Sequence, residues 1–218
     1  MLCKDAVAKG TLDLIKRLMA DEELGEFNLI GGTALALKIG HRESIDIDLF
    51  CNSSFNAAWI AEYLSHKYSA QRVNNLKNAV FCFIEDVKID LIAHQYPLLR
   101  PVELVEGIRM LSLNDIAAMK LHAVVNNGTR LKDFADIYFL LERLAMSDIL
   151  RDYEIKYAET NTIMARTALL YHNDIDFNVP IAYITNKIEW SLINARINEA
   201  LNKPDKLFPK TKIKKKKR

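Results

Sequence analysis

The sequence predicts an α+β fold: a small mixed β-sheet core with flanking helices, followed by an all-α C-terminal lobe. Three observations point there. An amphipathic helical pattern opens the chain, β-branched and apolar residues then alternate at period two in short runs between about 27 and 93, and from Leu111 onward the spacing is helical throughout. The division implied is a sheet-bearing lobe over 1–110, a helical lobe over 111–202 and a basic tail over 203–218, expected to be disordered.

Val7, Leu12, Ile15, Leu18 and Met19 share one helical face, so a helix is expected over 5–20. Phe27–Ile30 is a short apolar run stopped by Gly31-Gly32, which reads as a strand ending in a tight turn; Thr33 is the expected N-cap of the short helix TALALKI. Ile45, Ile47 and Leu49 alternate with Ser44, Asp46 and Asp48, a strand with one apolar and one acidic face. A helix is expected over 55–67, then two strands, Ala79–Ile84 and Val87–Ala93, joined by Glu85-Asp86 as a hairpin turn. In the helical lobe Ser112 is the expected cap of LNDIAAMKLHAVVNN, and LKDFADIYFLLERLA resumes after the break at Asn126-Asn127-Gly128-Thr129. Further helices are expected over 148–158 with Ser147 as cap, over 160–171 and over 180–202.

With 218 residues, half of them hydrophobic, the chain can bury a proper core without staples. Its three cysteines, Cys3, Cys51 and Cys82, are odd in number and far apart, which argues against a disulfide framework or a structural zinc site and favours a reducing cytoplasm. No segment approaches the ~20 apolar residues of a membrane span, so no membrane partner is expected. The formal charge of +2 conceals an asymmetry. Lys203–Arg218 holds 9 of the 30 basic residues and 1 of the 28 acidic ones, leaving 21 against 27, or −6, for residues 1–202. The body is acidic, and KTKIKKKKR is either a solvated appendage or an electrostatic arm for RNA phosphates.

The chemistry-bearing pattern is Gly31-Gly32-Thr33, twelve intervening residues, then Asp46-Ile47-Asp48. Aspartates at i and i+2 of a strand project from one face about 6.5–7 Å apart, within reach of one oxygen-ligated cation. A Gly-Gly turn lets backbone N–H groups approach a triphosphate, and a helix beginning at Thr33 aims its positive end there. Thr33 and Ser44 can add hydroxyls. Asp90, in the apolar run KIDLI, is the candidate third carboxylate, because strands are depleted of Asp and a buried charge needs a partner; three carboxylates allow a two-metal site. A non-catalytic nucleotide or RNA binder would have no need of three mutually repelling carboxylates. The Walker-A pattern is absent. His41 reads as an exposed loop histidine, His122 as a packed one, and Phe134, Tyr138 and Phe139 as core.

The stretch NLIGGTALALKIGHRESIDIDLF resembles the signature of the AbiEii/AbiGii toxin family, nucleotidyltransferase-like toxins of type IV toxin–antitoxin and phage-abortive systems within the DNA polymerase β-like nucleotidyltransferase superfamily. LSLNDIAAMKLHAVVNNGTRLKDFADIYFLL resembles that family's second block, and with KIDLI the likeness covers about residues 27–142. The resemblance implies a nucleotidyltransferase core using Mg²⁺ or Mn²⁺ and an NTP. In it Gly31, Gly32, Thr33 and Ser44 would contact triphosphate, Asp46 and Asp48 would hold the metal, and Arg42 would support the loop or a phosphate. Lys120 would reach the triphosphate, while Asp133 and Asp136, three apart on a helix, would orient Lys120 or Arg130. It further implies NMP transfer to an RNA, such as a tRNA 3′ end, or to a protein, with release of pyrophosphate, and a genetically linked antitoxin. Transfer of the γ-phosphate is the close variant.

Overall fold

The computed structural model describes residues 1–184 and 186–211. The chain divides into two compact units. The first comprises Met1–Ile39, Ser44–Pro97 and Pro101–Leu111; the second comprises Gly40–Glu43, Leu98–Arg100 and the chain from Ser112 onward.

The first unit is built on one seven-stranded mixed sheet in the order β3-β4-β5-β2-β1-β7-β6. Its strands are β1 (Asn28–Ile30), β2 (Ile47–Cys51), β3 (Gln71–Leu76), β4 (Ala79–Ile84), β5 (Val87–Ala93), β6 (Glu103–Val105) and β7 (Ile108–Met110). β2 runs parallel to β5 and antiparallel to β1, so the centre of the sheet is where direction changes. Alternation decides the faces: Ile47, Leu49, Cys51, Val80, Cys82, Ile84, Ile89 and Leu91 are all buried. Asp48, Lys88 and Asp90 take the intervening positions. The helices of this unit are α1 (Lys9–Met19), against β7, α2 (Gly31–Ile39), against β1 and β2, and α3 (Ala57–Tyr68), against β3 and β4.

The hairpin β4–β5 turns at Glu85-Asp86 as expected; both have positive φ, 52° and 61°, which matches the strand twist. Three strands are not evident from the sequence. β3 is largely exposed and polar, and β6 and β7 are three-residue strands around Glu106-Gly107, whose φ values are 51° and 82°. Thr33 is not an N-cap, because α2 already begins at Gly31.

The second unit is helical: α4 (Leu113–Asn126), α5 (Leu131–Leu140), α6 (Met146–Lys156), α7 (Thr162–Leu170) and α8 (Trp190–Asn202). Ser112 caps α4 by accepting from the Asp115 amide at 3.0 Å. α6 starts at Met146, with Ala145 rather than Ser147 before it; the Ser147 amide donates to the Pro204 carbonyl instead. The last helix is shorter than 180–202 and starts at Trp190; before it Tyr183 forms an isolated antiparallel bridge with Arg42, Glu43 N donates to Ala182 O, and Ile184 N to His41 O. Of the expected tail, residues 203–211 are mostly exposed but anchored at particular residues. Phe208 is buried with its amide on Leu141 O, and Thr211 N donates to Glu142 Oε1. Residues 212–218 lie outside the described residues. Among the described residues no helix is long and apolar enough to cross a membrane.

Candidate active site

In the first unit the acidic residues come together by register. Asp48 and Asp90 are direct partners on the parallel strands β2 and β5, so their side chains rise from the same face about 4.8 Å apart at the backbone. Asp46 stands immediately before β2. Its backbone is fixed by the buried Thr33, whose hydroxyl donates to the Asp46 carbonyl and lies 2.9 Å from Ser44 Oγ. Thr33 therefore braces Asp46.

Gly31 completes the arrangement. Asp48 pairs with Ile30 across β1–β2, which brings its carboxylate over the first residue of α2. A Cβ on Gly31 would collide with Asp48 Oδ2, and the Gly31 φ of +71° is one that L side chains rarely adopt. The helix N-terminus thus meets the Asp48 carboxylate directly, a favourable pairing of anion and dipole.

A cation that the sequence does not single out belongs to this face. Lys88, two residues before Asp90 on β5, places Nζ 2.6 Å from Asp90 Oδ2. Partial burial works against the ammonium, yet Asp90, with the fields of Asp46 and Asp48, holds its pKa above the ordinary lysine value. Asp90 Oδ1 is buried with no hydrogen-bond partner. Three carboxylates, one with an orphaned buried oxygen, suit a hard divalent cation in donor type. Among the described residues, however, no three His, Cys, Asp or Glu groups form a ready metal cage.

In the second unit the remaining candidates form one ion network. Asp136, fully buried on α5, accepts a forked pair from Arg42 (Nε to Oδ1 2.6 Å, Nη2 to Oδ2 2.9 Å), with Lys120 Nζ 2.7 Å from Oδ2 and His41 Nε2 2.7 Å from Oδ1. Asp133, also buried, takes Lys120 Nζ at 2.8 Å and Arg130 Nε at 2.7 Å. Burial alone would raise the Asp136 pKa; Arg42 and Lys120 override it and hold the carboxyl well below its usual range. Lys120 is likewise kept protonated against complete burial by Asp136 and Asp133. Three cations, Arg42, Lys120 and Arg130, face two carboxylates, leaving a surplus of one positive charge, or two if His41 were protonated. Burial and the neighbouring cations lower the His41 pKa despite Asp136, so at neutral pH the surplus is one.

The AbiEii family, described as nucleotidyl transferase AbiEii toxin, type IV TA system, matches residues 13–101 and 84–203. The chain belongs to that family. An AbiEii protein is a nucleotidyltransferase, and nucleotidyl transfer is the role of this chain. Among its relatives is the uncharacterised protein aq_aa25 of Aquifex aeolicus, 28% identical over 155 residues that span 68% of this chain and 75% of the relative. Similar solved structures include a proposed nucleotidyltransferase from Helicobacter pylori (17% identity, TM-score 0.49, 93% of this chain and 100% of that one). JHP933 from the same organism is similar at 16% identity and TM-score 0.45, over 90% of this chain and 94% of that one. The assignment rests on the family match.

The AbiEii residues expected from sequence therefore fall into two groups. Gly31, Gly32, Thr33, Ser44, Asp46, Asp48 and Asp90 lie in the first unit, and Arg42, Lys120, Arg130, Asp133 and Asp136 in the second. His41 is 1% exposed and bonded to Asp136, so it is a buried member of the network rather than an exposed loop histidine. The Arg42 guanidinium is bonded to Asp136 and to the Glu43 carbonyl. His122 is packed, stacked on Tyr157 with ring centroids 3.9 Å apart. Beyond the reach of sequence was Asp115. Its buried carboxylate receives the Leu99 and Arg100 amides, Ser112 Oγ and Lys156 Nζ, and so ties residues 98–100 to α4 and α6.

Proposed function

We propose that the chain is a Mg²⁺-dependent nucleotidyltransferase and the toxin of a type IV toxin–antitoxin or abortive-infection system, moving an NMP from an NTP to an RNA acceptor such as a tRNA 3′ end. The observation that carries the reading is the Asp48–Asp90 register pair, with Asp46 braced by Thr33 and Gly31 seated under Asp48. Asp46, Asp48 and Asp90 Oδ1 would hold the cation. When bound, it would supply neutralisation of the triphosphate and of the departing pyrophosphate.

The chain's own residues do the positioning. Gly31 leaves at the α2 N-terminus the space that the Asp48 carboxylate occupies. In the second unit Lys120 is held by two buried aspartates. The acceptor hydroxyl attacks the α-phosphorus, the bond to the bridging oxygen of the β-phosphate breaks, and the hydroxyl proton passes to a carboxylate of the acidic cluster or to solvent. RNA is favoured as acceptor because Arg130 and Lys132 on the second unit and the basic run beyond Thr211 offer charge to phosphates in an otherwise acidic body.

Incubation of the protein with each α-labelled NTP, Mg²⁺, and separate cellular RNA and protein fractions tests this. Label on RNA, lost in Asp48→Asn, supports it; label on protein alone, or transfer only from γ-labelled NTP, overturns the acceptor or the bond broken. A linked antitoxin should relieve growth arrest caused by the wild type, and an inactive Asp48→Asn chain should cause none.

A further inference from the structure

Lys88 has no part in the candidate residues read from sequence, yet its ammonium is bonded to the third carboxylate of the acidic face at 2.6 Å. We infer that Lys88 is a built-in counter-cation of that face, sharing Asp90 with the divalent ion and setting the affinity with which the ion binds. The inference rests on the proposed metal reading of Asp46, Asp48 and Asp90.

Three observations carry it. The first is register: Asp48 and Asp90 are direct partners, and without a cation two carboxylates so placed repel each other. The second is the division of Asp90 between its oxygens, Oδ2 taken by Lys88 and Oδ1 buried and unpartnered. A single carboxylate so split presents one oxygen to a ligand while the other is held. The third is exposure. The Lys88 side chain is 45% exposed against 14% for Asp90, so the lysine reaches in from solvent on a flexible stem and can yield, whereas the carboxylate cannot leave. An ammonium beside a dication opposes the dication, and it relieves the carboxylates when the dication is absent. Lys88 thus lowers affinity for the ion and stabilises the ion-free protein.

The test is a Mn²⁺ titration of the full chain, followed by the electron paramagnetic resonance signal of free Mn²⁺, on the wild type, Lys88→Met, Lys88→Arg and Asp48→Asn. A parallel thermal melt with and without Mn²⁺ checks folding. Lys88→Met should bind Mn²⁺ about tenfold more tightly, the size expected of one partly solvated charge a few ångströms away. It should also melt lower than wild type without the ion and gain more from it, while Lys88→Arg stays close to wild type. Unchanged or weaker binding in Lys88→Met, with Asp48→Asn having lost it, overturns the inference alone, since a merely positioning lysine would weaken binding on removal. Full binding in Asp48→Asn would instead overturn the metal reading beneath it.

Discussion

Gly31 and Asp48 are fitted to each other: the carboxylate Oδ2 occupies the space where any Cβ at position 31 would stand. The fit joins the start of α2 to the middle of the acidic face, and so couples a backbone requirement to a side-chain position.

Gly31→Ala should therefore act on Asp48 rather than merely on the turn. The added methyl must displace the carboxylate and sit at φ +71°, costing about 1–3 kcal/mol of strain. A displacement of this kind should reduce nucleotide transfer by about a hundredfold or more. Activity near wild type in a folded Gly31→Ala protein would contradict the geometry.

Asp136 should matter more to stability than its partners individually. Replacing it with Ala leaves Arg42 and Lys120 short of a buried counter-charge, so unfolding by denaturant should show a loss of about 3–5 kcal/mol. A loss below about 1 kcal/mol would show that water reaches the network and replaces the carboxylate.

The same network makes stability depend on pH. The folded His41 pKa lies below the ordinary 6.5, so below about pH 6.5 the unfolded chain binds more protons than the folded one. Stability contributed by neutral His41 is present above that value and falls as the pH drops toward 5, with a limiting slope of about 1.4 kcal/mol per pH unit. His122, lowered by burial, acts in the same direction and window. Asp136 adds its own loss only below its ordinary value of 3.8. His41→Gln, which keeps an N–H for Asp136, should reduce the slope between pH 6.5 and 5 without removing the His122 share. An unchanged slope measured by denaturation at several pH values would mean His41 is charged in the folded protein.

For RNA binding the informative truncation is after Thr211, since Phe208 is packed and Thr211 bonds to Glu142. Removing residues 212–218 deletes six basic side chains and spares those interactions. The slope of log K against log salt for single-stranded RNA should then shrink by about 0.7 for each phosphate no longer neutralised. Identical slopes would leave the basic run without a role in RNA binding and shift weight to a protein acceptor.

The legible parts of the fold were those where one local rule suffices. Alternation revealed Val87–Ala93 and the middle of the Asp48 strand, which starts at Ile47 rather than Ser44 and runs on to Cys51, and Ser112 announced α4. β3 was missed because QRVNNL has no apolar face and gains its place only by pairing with β4. In the site, Asp48 and Asp90 were visible as charges in apolar runs, but their pairing across β2–β5 is a long-range fact. Lys88 and Asp115 were missed for a related reason. An exposed lysine and a helix-start aspartate look ordinary in sequence, and only the tertiary structure shows what each one holds.

The central claim is that Asp46 and Asp48 hold the ion on which transfer depends. The most direct measurement is transfer from α-labelled NTP to RNA by wild type, Asp46→Asn and Asp48→Asn over a range of Mg²⁺ concentrations, with melting curves to verify folding. Mg²⁺-dependent labelling is expected in the wild type, with a loss of about a thousandfold or more in both variants, which should still fold, since each change relieves repulsion in the ion-free face. Wild-type labelling by either folded variant, or labelling that is indifferent to chelation of Mg²⁺, would contradict the claim.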